Sequence, residues 1–161
     1  MYSLIIYYSL TGRTHYEAKR LSEKLEAEIY EVREQKHRSL WNAYLFGPSQ
    51  AKARKYVVVE PIAVNLEDYD RIIIMCPIWG GYPAPAFNTI VRELPVGREV
   101  ELYFTSDSGR ARDLDSIRKR VELQGVHVTD VKVIKTEDLK KRDRRRQKRM
   151  KAEERNSSEG R

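Results

Sequence analysis

The chain has 161 residues, enough for one domain with a real core, and a formal net charge of +7. No apolar run is long enough to span a bilayer, no charged-then-apolar leader opens the sequence, and the single Cys76 excludes an intrachain disulfide. Residues 137–161 carry eleven Lys/Arg against six Asp/Glu, a surplus of +5, which leaves +2 for residues 1–136.

Two regions follow from that imbalance, a near-neutral domain over 1–136 and a basic tail over 137–161. One cysteine and no leader fit a reducing, cytoplasmic setting. Cys76, His15, His37 and His127 lack metal-ligand spacing, so no metal is expected.

The chain opens on an apolar run, 2–8, that reads as a buried strand. Ser9-Leu10-Thr11-Gly12-Arg13-Thr14 follows, and then an amphipathic helix to about residue 27 with Ala18, Leu21 and Leu25 on one face. A strand-to-helix turn filled with hydroxyls and a glycine suits a phosphate. Backbone N–H groups and the helix dipole face the anion, Ser9, Thr11 and Thr14 add O–H donors, and Gly12 permits close approach. Neither G-x-x-x-x-G-K-[ST] nor G-x-G-x-x-G occurs. The plainer alternative is an ordinary turn with Ser9 or Thr11 as N-cap.

Residues 29–32 read as a short second strand. The stretch 35–70 is the least regular. Leu40, Trp41, Tyr44 and Leu45 fit one face of a short helix, which Gly47-Pro48 is expected to stop; 49–55 starts a second helical piece, and 56–59 is extended. Trp41, Tyr44 and Phe46 read as core packed under the sheet, or else as a flap near a ligand or an oligomer contact.

Residues 70–76 form the strongest strand pattern, apolar on both faces as in a central parallel strand. Pro77-Ile78-Trp79-Gly80-Gly81-Tyr82-Pro83 reads as a loop, and 84–94 as a helix with Pro85 in its first turn. A fourth strand spans 99–105, Ser106-Asp107-Ser108-Gly109 makes another strand-to-helix turn, and Leu114, Ile117, Val121 and Leu123 line a helix ended by Gly125. The fifth strand spans 126–134.

Strands alternating with helices predict βαβ units in a three-layer, doubly wound, five-stranded parallel α/β sheet. Ligands of such sheets bind at the carboxyl ends of the strands, where the strand order switches. The loops 9–14, 77–83 and 106–109 all follow strands at that edge. Trp79 offers a stacking face, or is a partly buried loop tryptophan beside a glycine turn.

In this order and spacing, S-L-T-G-R-T, C-P-I-W-G-G-Y-P-A-P and T-S-D-S-G resemble the flavodoxin-like FMN-binding family over residues 2 to about 134. The resemblance implies that Ser9, Leu10, Thr11, Gly12, Arg13 and Thr14 hold the FMN phosphate. Pro77, Ile78, Trp79, Gly80 and Gly81 would lie beside the flavin ring, and Ser106, Asp107, Ser108 and Gly109 near its pyrimidine end. The third loop lacks the tyrosine that often covers the outer flavin face, leaving that face to Tyr82, to a partner subunit, or open to a nicotinamide or quinone.

The implied function is electron transfer with a redox partner protein or NAD(P)H-dependent reduction of a small acceptor, with no catalytic side chain required. A homodimer is compatible with a thinly covered sheet face. The alternative function uses the basic run 140–151 to bind nucleic acid or an acidic partner, with the α/β domain as scaffold. A cysteine-loop phosphatase and a phospho-acceptor receiver fit poorly, for want of an arginine loop after Cys76 and of acidic residues after the first strand.

Overall fold

The computed structural model describes residues 2–137 and Lys141. The expected roles of the run 140–151 and of the tail 137–161 therefore lie outside the described residues, apart from Glu137 and Lys141. Five strands run parallel in the order β2-β1-β3-β5-β6, with β1 Ser3–Tyr7, β2 Glu28–Glu31, β3 Arg71–Trp79, β5 Glu99–Ser106 and β6 His127–Lys135. A two-residue strand, β4 Tyr82–Pro83, folds back antiparallel on the end of β3. The order reverses between β1 and β3, which puts the switch point where the first two loops emerge.

Alternation along the strands divides the core. Leu4, Ile6, Ile72, Ile74, Val100, Leu102 and Phe104 face one layer, where α3 (Pro85–Arg92) supplies Phe87 and Ile90 and α4 (Leu114–Glu122) supplies Ile117 and Val121. Phe87 meets Phe104 edge to face at 5.3 Å. Ile5, Tyr7, Ile73, Met75 and Tyr103 face the other layer, where α1 (Arg13–Leu25) packs Ala18, Leu21 and Leu25. β3 is thus apolar on both faces, as its sequence requires. Arg71 of β3 and Glu101 of β5 form a two-bond ion pair joining the central strands. Burial opposes the Glu101 charge, but Arg71 and Tyr103 donate to it and hold its carboxyl below the usual range.

Three expectations about the helices are corrected. Gly47-Pro48 does not stop a helix: α2 runs unbroken over Leu40–Lys52 with Pro48 inside it, so 49–55 is not a separate piece. Pro48 breaks a helical hydrogen bond, but Gly47 and Pro48 seat the helix on the β3–β4 hairpin, and this packing outweighs the local penalty. Trp41, Tyr44 and Phe46 are not core; they are 69%, 77% and 54% exposed, while the small Ala43, Gly47 and Ala51 face inward. Leu123 does not line α4. It caps the helix, 83% exposed, because it falls two positions beyond Val121 and off the buried stripe.

The loop expected over 77–83 is partly strand. β3 continues to Trp79, Gly80 and Gly81 form a two-residue turn with φ of 59° and 97°, and Trp79 pairs with Tyr82. Two positive φ values in a two-residue connection suit the twist of a tight hairpin. In the stretch 56–59, expected to be extended, Val59 is bridged antiparallel to Glu34 and Val58 O accepts from Gln35 N.

Candidate functional site

The carboxyl ends of β1, β3 and β5 open into one cleft of about 950 Å³. All three expected loops reach it. The first contributes Leu10, Thr11, Arg13 and Thr14, the second Pro77, Ile78, Trp79, Gly80 and Gly81, and the third Ser106, Asp107 and Ser108. Ser9, Gly12 and Gly109 lie outside the lining and shape the turns instead.

In the first loop, Ser9 Oγ accepts a hydrogen bond from Gly12 N at 3.1 Å. Gly12 is the helix N-cap, in the left-handed region at φ 87°, with no side-chain cap bond. Neither Ser9 nor Thr11 caps α1. The N–H groups of an α-helix's first turn have no intrahelical acceptor, and the first turn of α1 carries no acidic residue. Thr14 is buried, its hydroxyl 2.7 Å from that of Thr105, so it ties α1 to β5 at the cleft floor. Tyr7 Oη lies 2.6 Å from His15 Nδ1, a second tie from sheet to helix start.

The third loop is braced by its own hydroxyls. Ser106 and Ser108 Oγ are 3.1 Å apart, and Arg110 N donates to Ser108 Oγ at 3.2 Å. Asp107 pairs with Arg13, linking the first and third loops. The lining also includes Arg110 and Arg112, so three arginines stand against one aspartate, and the cleft favours an anion. Arg112 N donates to Gly81 O at 2.7 Å, stapling the segment after the third loop to the hairpin.

Helix α2 supplies a further wall, as in the alternative reading of this stretch as a flap near a ligand: Leu40, Ala43, Tyr44 and Pro48 line the cleft. A Cβ at Gly47 would stand 2.9 Å from Trp79 Cε3, and one at Gly80 only 2.7 Å from Pro48 Cβ. These two glycines let the helix lie against the hairpin. Trp79 lines the cleft, but its indole is also a structural support. Arg38 lies over the ring at 5.4 Å and Tyr8 meets it edge-on at 6.0 Å. Arg38 pairs with Glu34, both nearly buried, and donates to Gln50 of α2 at 2.7 Å. Tyr8 donates to Glu34 at 2.8 Å; burial, then the Glu34 charge, drive its hydroxyl far above the ordinary tyrosine range. Tyr82, one of the three alternatives for the outer face of a bound ring beside a partner subunit and an open face, is not in the lining, and the tyrosine there is Tyr44. Its signal was the alternation of small and large residues along α2, which reads equally as a core stripe.

Cys76 is buried in the sheet and burial pushes its thiol far up, which removes it as a nucleophile. Among the described residues no cluster of His, Cys, Asp or Glu could hold a metal, and no helix is long and apolar enough to cross a membrane.

No protein-family model matches the chain, and no curated protein matches its sequence. Solved structures do. A crystal structure of a flavoprotein in complex with FMN from Lactobacillus acidophilus NCFM superposes with a TM-score of 0.68 at 23% identity, over 82% of this chain and 92% of that one. The apo-form of the flavoprotein from the same organism gives 0.62 at 24% identity, over 82% and 91%. Two-electron reduced flavodoxin from Megasphaera elsdenii gives 0.54 at 17% identity, over 83% and 85%.

Proposed function

We propose that this chain, whose fold is flavodoxin-like, is an FMN-binding redox protein that transfers electrons to a partner or reduces a small acceptor such as a quinone with NAD(P)H. The observation that carries this reading is the convergence of all three strand-end loops on one anion-favouring cleft with the start of α1 at its floor. The neighbour that holds FMN supports it.

The residues present suit the group. The first loop offers a left-handed glycine, the Thr11 hydroxyl and a helix N-terminus without acidic side chains, a fit for a phosphate monoester. The cleft volume lies at the upper end of the range for cofactor sites. FMN, when bound, supplies one- and two-electron chemistry that no side chain here provides.

The chain's own part is to bind, orient and bias. Ser9 holds the turn that presents the first loop. Arg13 brings positive charge to it, shared with Asp107. Gly80 and Gly81 offer peptide groups at the hairpin tip, and Ser106, Ser108 and Gly109 fix the third loop. Leu40 and Tyr44 close the apolar side. No side chain is assigned as acid, base or nucleophile.

The test is titration of flavin fluorescence. FMN should quench saturably at one equivalent per chain. Riboflavin, lacking the phosphate, should bind about a hundredfold more weakly, as expected for loss of charge-assisted hydrogen bonds. Absence of saturable FMN binding, or equal affinity for the two, overturns the proposal. Rapid anaerobic bleaching by NADPH or NADH then marks a reductase, and its absence a carrier.

A further inference from the structure

Helix α2 is built inside out. Ala43, Gly47 and Ala51 are buried, while Leu40, Trp41 and Tyr44 stand 64%, 69% and 77% exposed. Positions 40, 41 and 44 share one side of the helix. Trp41 and Tyr44 stack with ring centroids 6.4 Å apart, and Leu40 and Tyr44 also line the cleft. Exposed apolar patches at a cleft mouth mark interaction sites, and rings already stacked lose little freedom on contact. The cleft lining continues through Arg110 and Arg112, both exposed, and Arg112 N bonds Gly81 O of the hairpin on which α2 packs. An aromatic centre flanked by arginines is the composition of a protein-docking face.

Charge selects the occupant. Arg110 and Arg112 stand exposed on the rim, while Asp107, the acidic residue of the lining, is paired with Arg13. A second copy docked through a two-fold axis would set this basic rim against itself. A small flat acceptor inside the cleft has no use for Trp41, which lies outside its lining. An acidic protein uses both the rings and the rim.

We propose that the Leu40-Trp41-Tyr44 lip and the Arg110/Arg112 rim form the docking face for an acidic electron-transfer protein. This rests on the FMN reading, because the face frames the mouth of that cleft. Carboxylates of the partner meet the arginines, and an apolar contact covers the two rings. Opposite charge steers the encounter, so binding weakens as salt rises.

The experiment mixes the FMN-loaded chain with a strongly acidic [2Fe–2S] ferredoxin as probe and, separately, with a basic cytochrome c, by calorimetry. Ferredoxin should bind, and its affinity should fall at least about tenfold between about 20 and about 300 mM salt. Trp41→Ser and Arg110→Glu should each weaken it by about tenfold or more. FMN fluorescence is read on the same samples. Failure of FMN itself to bind overturns the function reading; FMN binding with no ferredoxin binding overturns the docking face alone. Equal binding of cytochrome c, or an unchanged affinity in Trp41→Ser, also overturns it. A concentration-dependent dimer in sedimentation that Trp41→Ser abolishes assigns the face to a second copy and overturns it likewise.

Discussion

The two walls of the cleft are made on opposite principles. One is the edge of the sheet, where each loop hangs from a strand whose other residues are locked into the core. The other is a single helix that buries only alanines and a glycine and turns its large side chains outward. The sheet wall is held by its own depth. The helix wall is held by specific contacts to Trp79, Gly80 and Arg38 and by packing on α3. A site can thus combine a fixed floor with a side whose position depends on very few groups.

The largest expected effect falls on those few groups. Arg38→Met leaves Glu34 buried without its cation and removes the bond to Gln50, and should destabilise the protein by about 3 kcal/mol in denaturant titration. Adding Glu34→Gln should recover part of the loss. An equal or larger loss in the double variant would show that the pair does not hold the helix.

Gly80→Val comes next. It places a branched side chain at φ 59°, against Pro48, and should cost about 2 kcal/mol while weakening FMN binding through displacement of α2. The same substitution at Gly97, also left-handed but with nothing near its Cβ position, should destabilise through backbone strain and leave FMN affinity alone.

The sheet, at the strand ends opposite the cleft, should lose stability in acid. Glu101 has a folded-state pKa below its unfolded value, so its contribution is present above the ordinary Glu range, near pH ~4.3, and is lost as pH falls through the lower folded value. Glu101→Gln should therefore flatten the acid side of the stability curve, measured by urea unfolding from pH 6 down to about 3. An unchanged slope would locate the acid sensitivity elsewhere.

The smallest effect should come from the outer face of α2. Tyr44→Ser and Leu40→Ser should change stability by no more than about 0.5 kcal/mol, since both side chains are exposed. A loss well above that would mean the helix relies on its large residues after all.

The same contrast explains what was legible in the sequence. The β1, β3 and β5 strands and the loops after β1 and β5 were readable because their signals are local. They are runs of apolar residues, a hydroxyl-and-glycine turn after Tyr8, and a serine-rich turn after Thr105. Twelve of the fifteen expected site residues line the cleft for that reason. Helix α2 was readable only at its start, not in its length or the direction its large face turns. Gly47-Pro48 is a local breaker whose cost is met by packing on a hairpin more than thirty residues away, and Leu40, Trp41 and Tyr44 have the spacing of a core stripe whichever way the helix faces. The partial burial of Trp79 between Arg38 and Tyr8 depends on a segment whose path the sequence leaves open.

The bond from Arg112 N to Gly81 O has a mechanical consequence. It works as a tie-rod between the hairpin tip and the segment leading into α4, so a rotation of the tip peptide strains or releases the far end. The Arg112 amide is accordingly a natural gauge of the tip: its hydrogen-exchange rate reports whether the turn has moved, without any probe attached to the cleft itself.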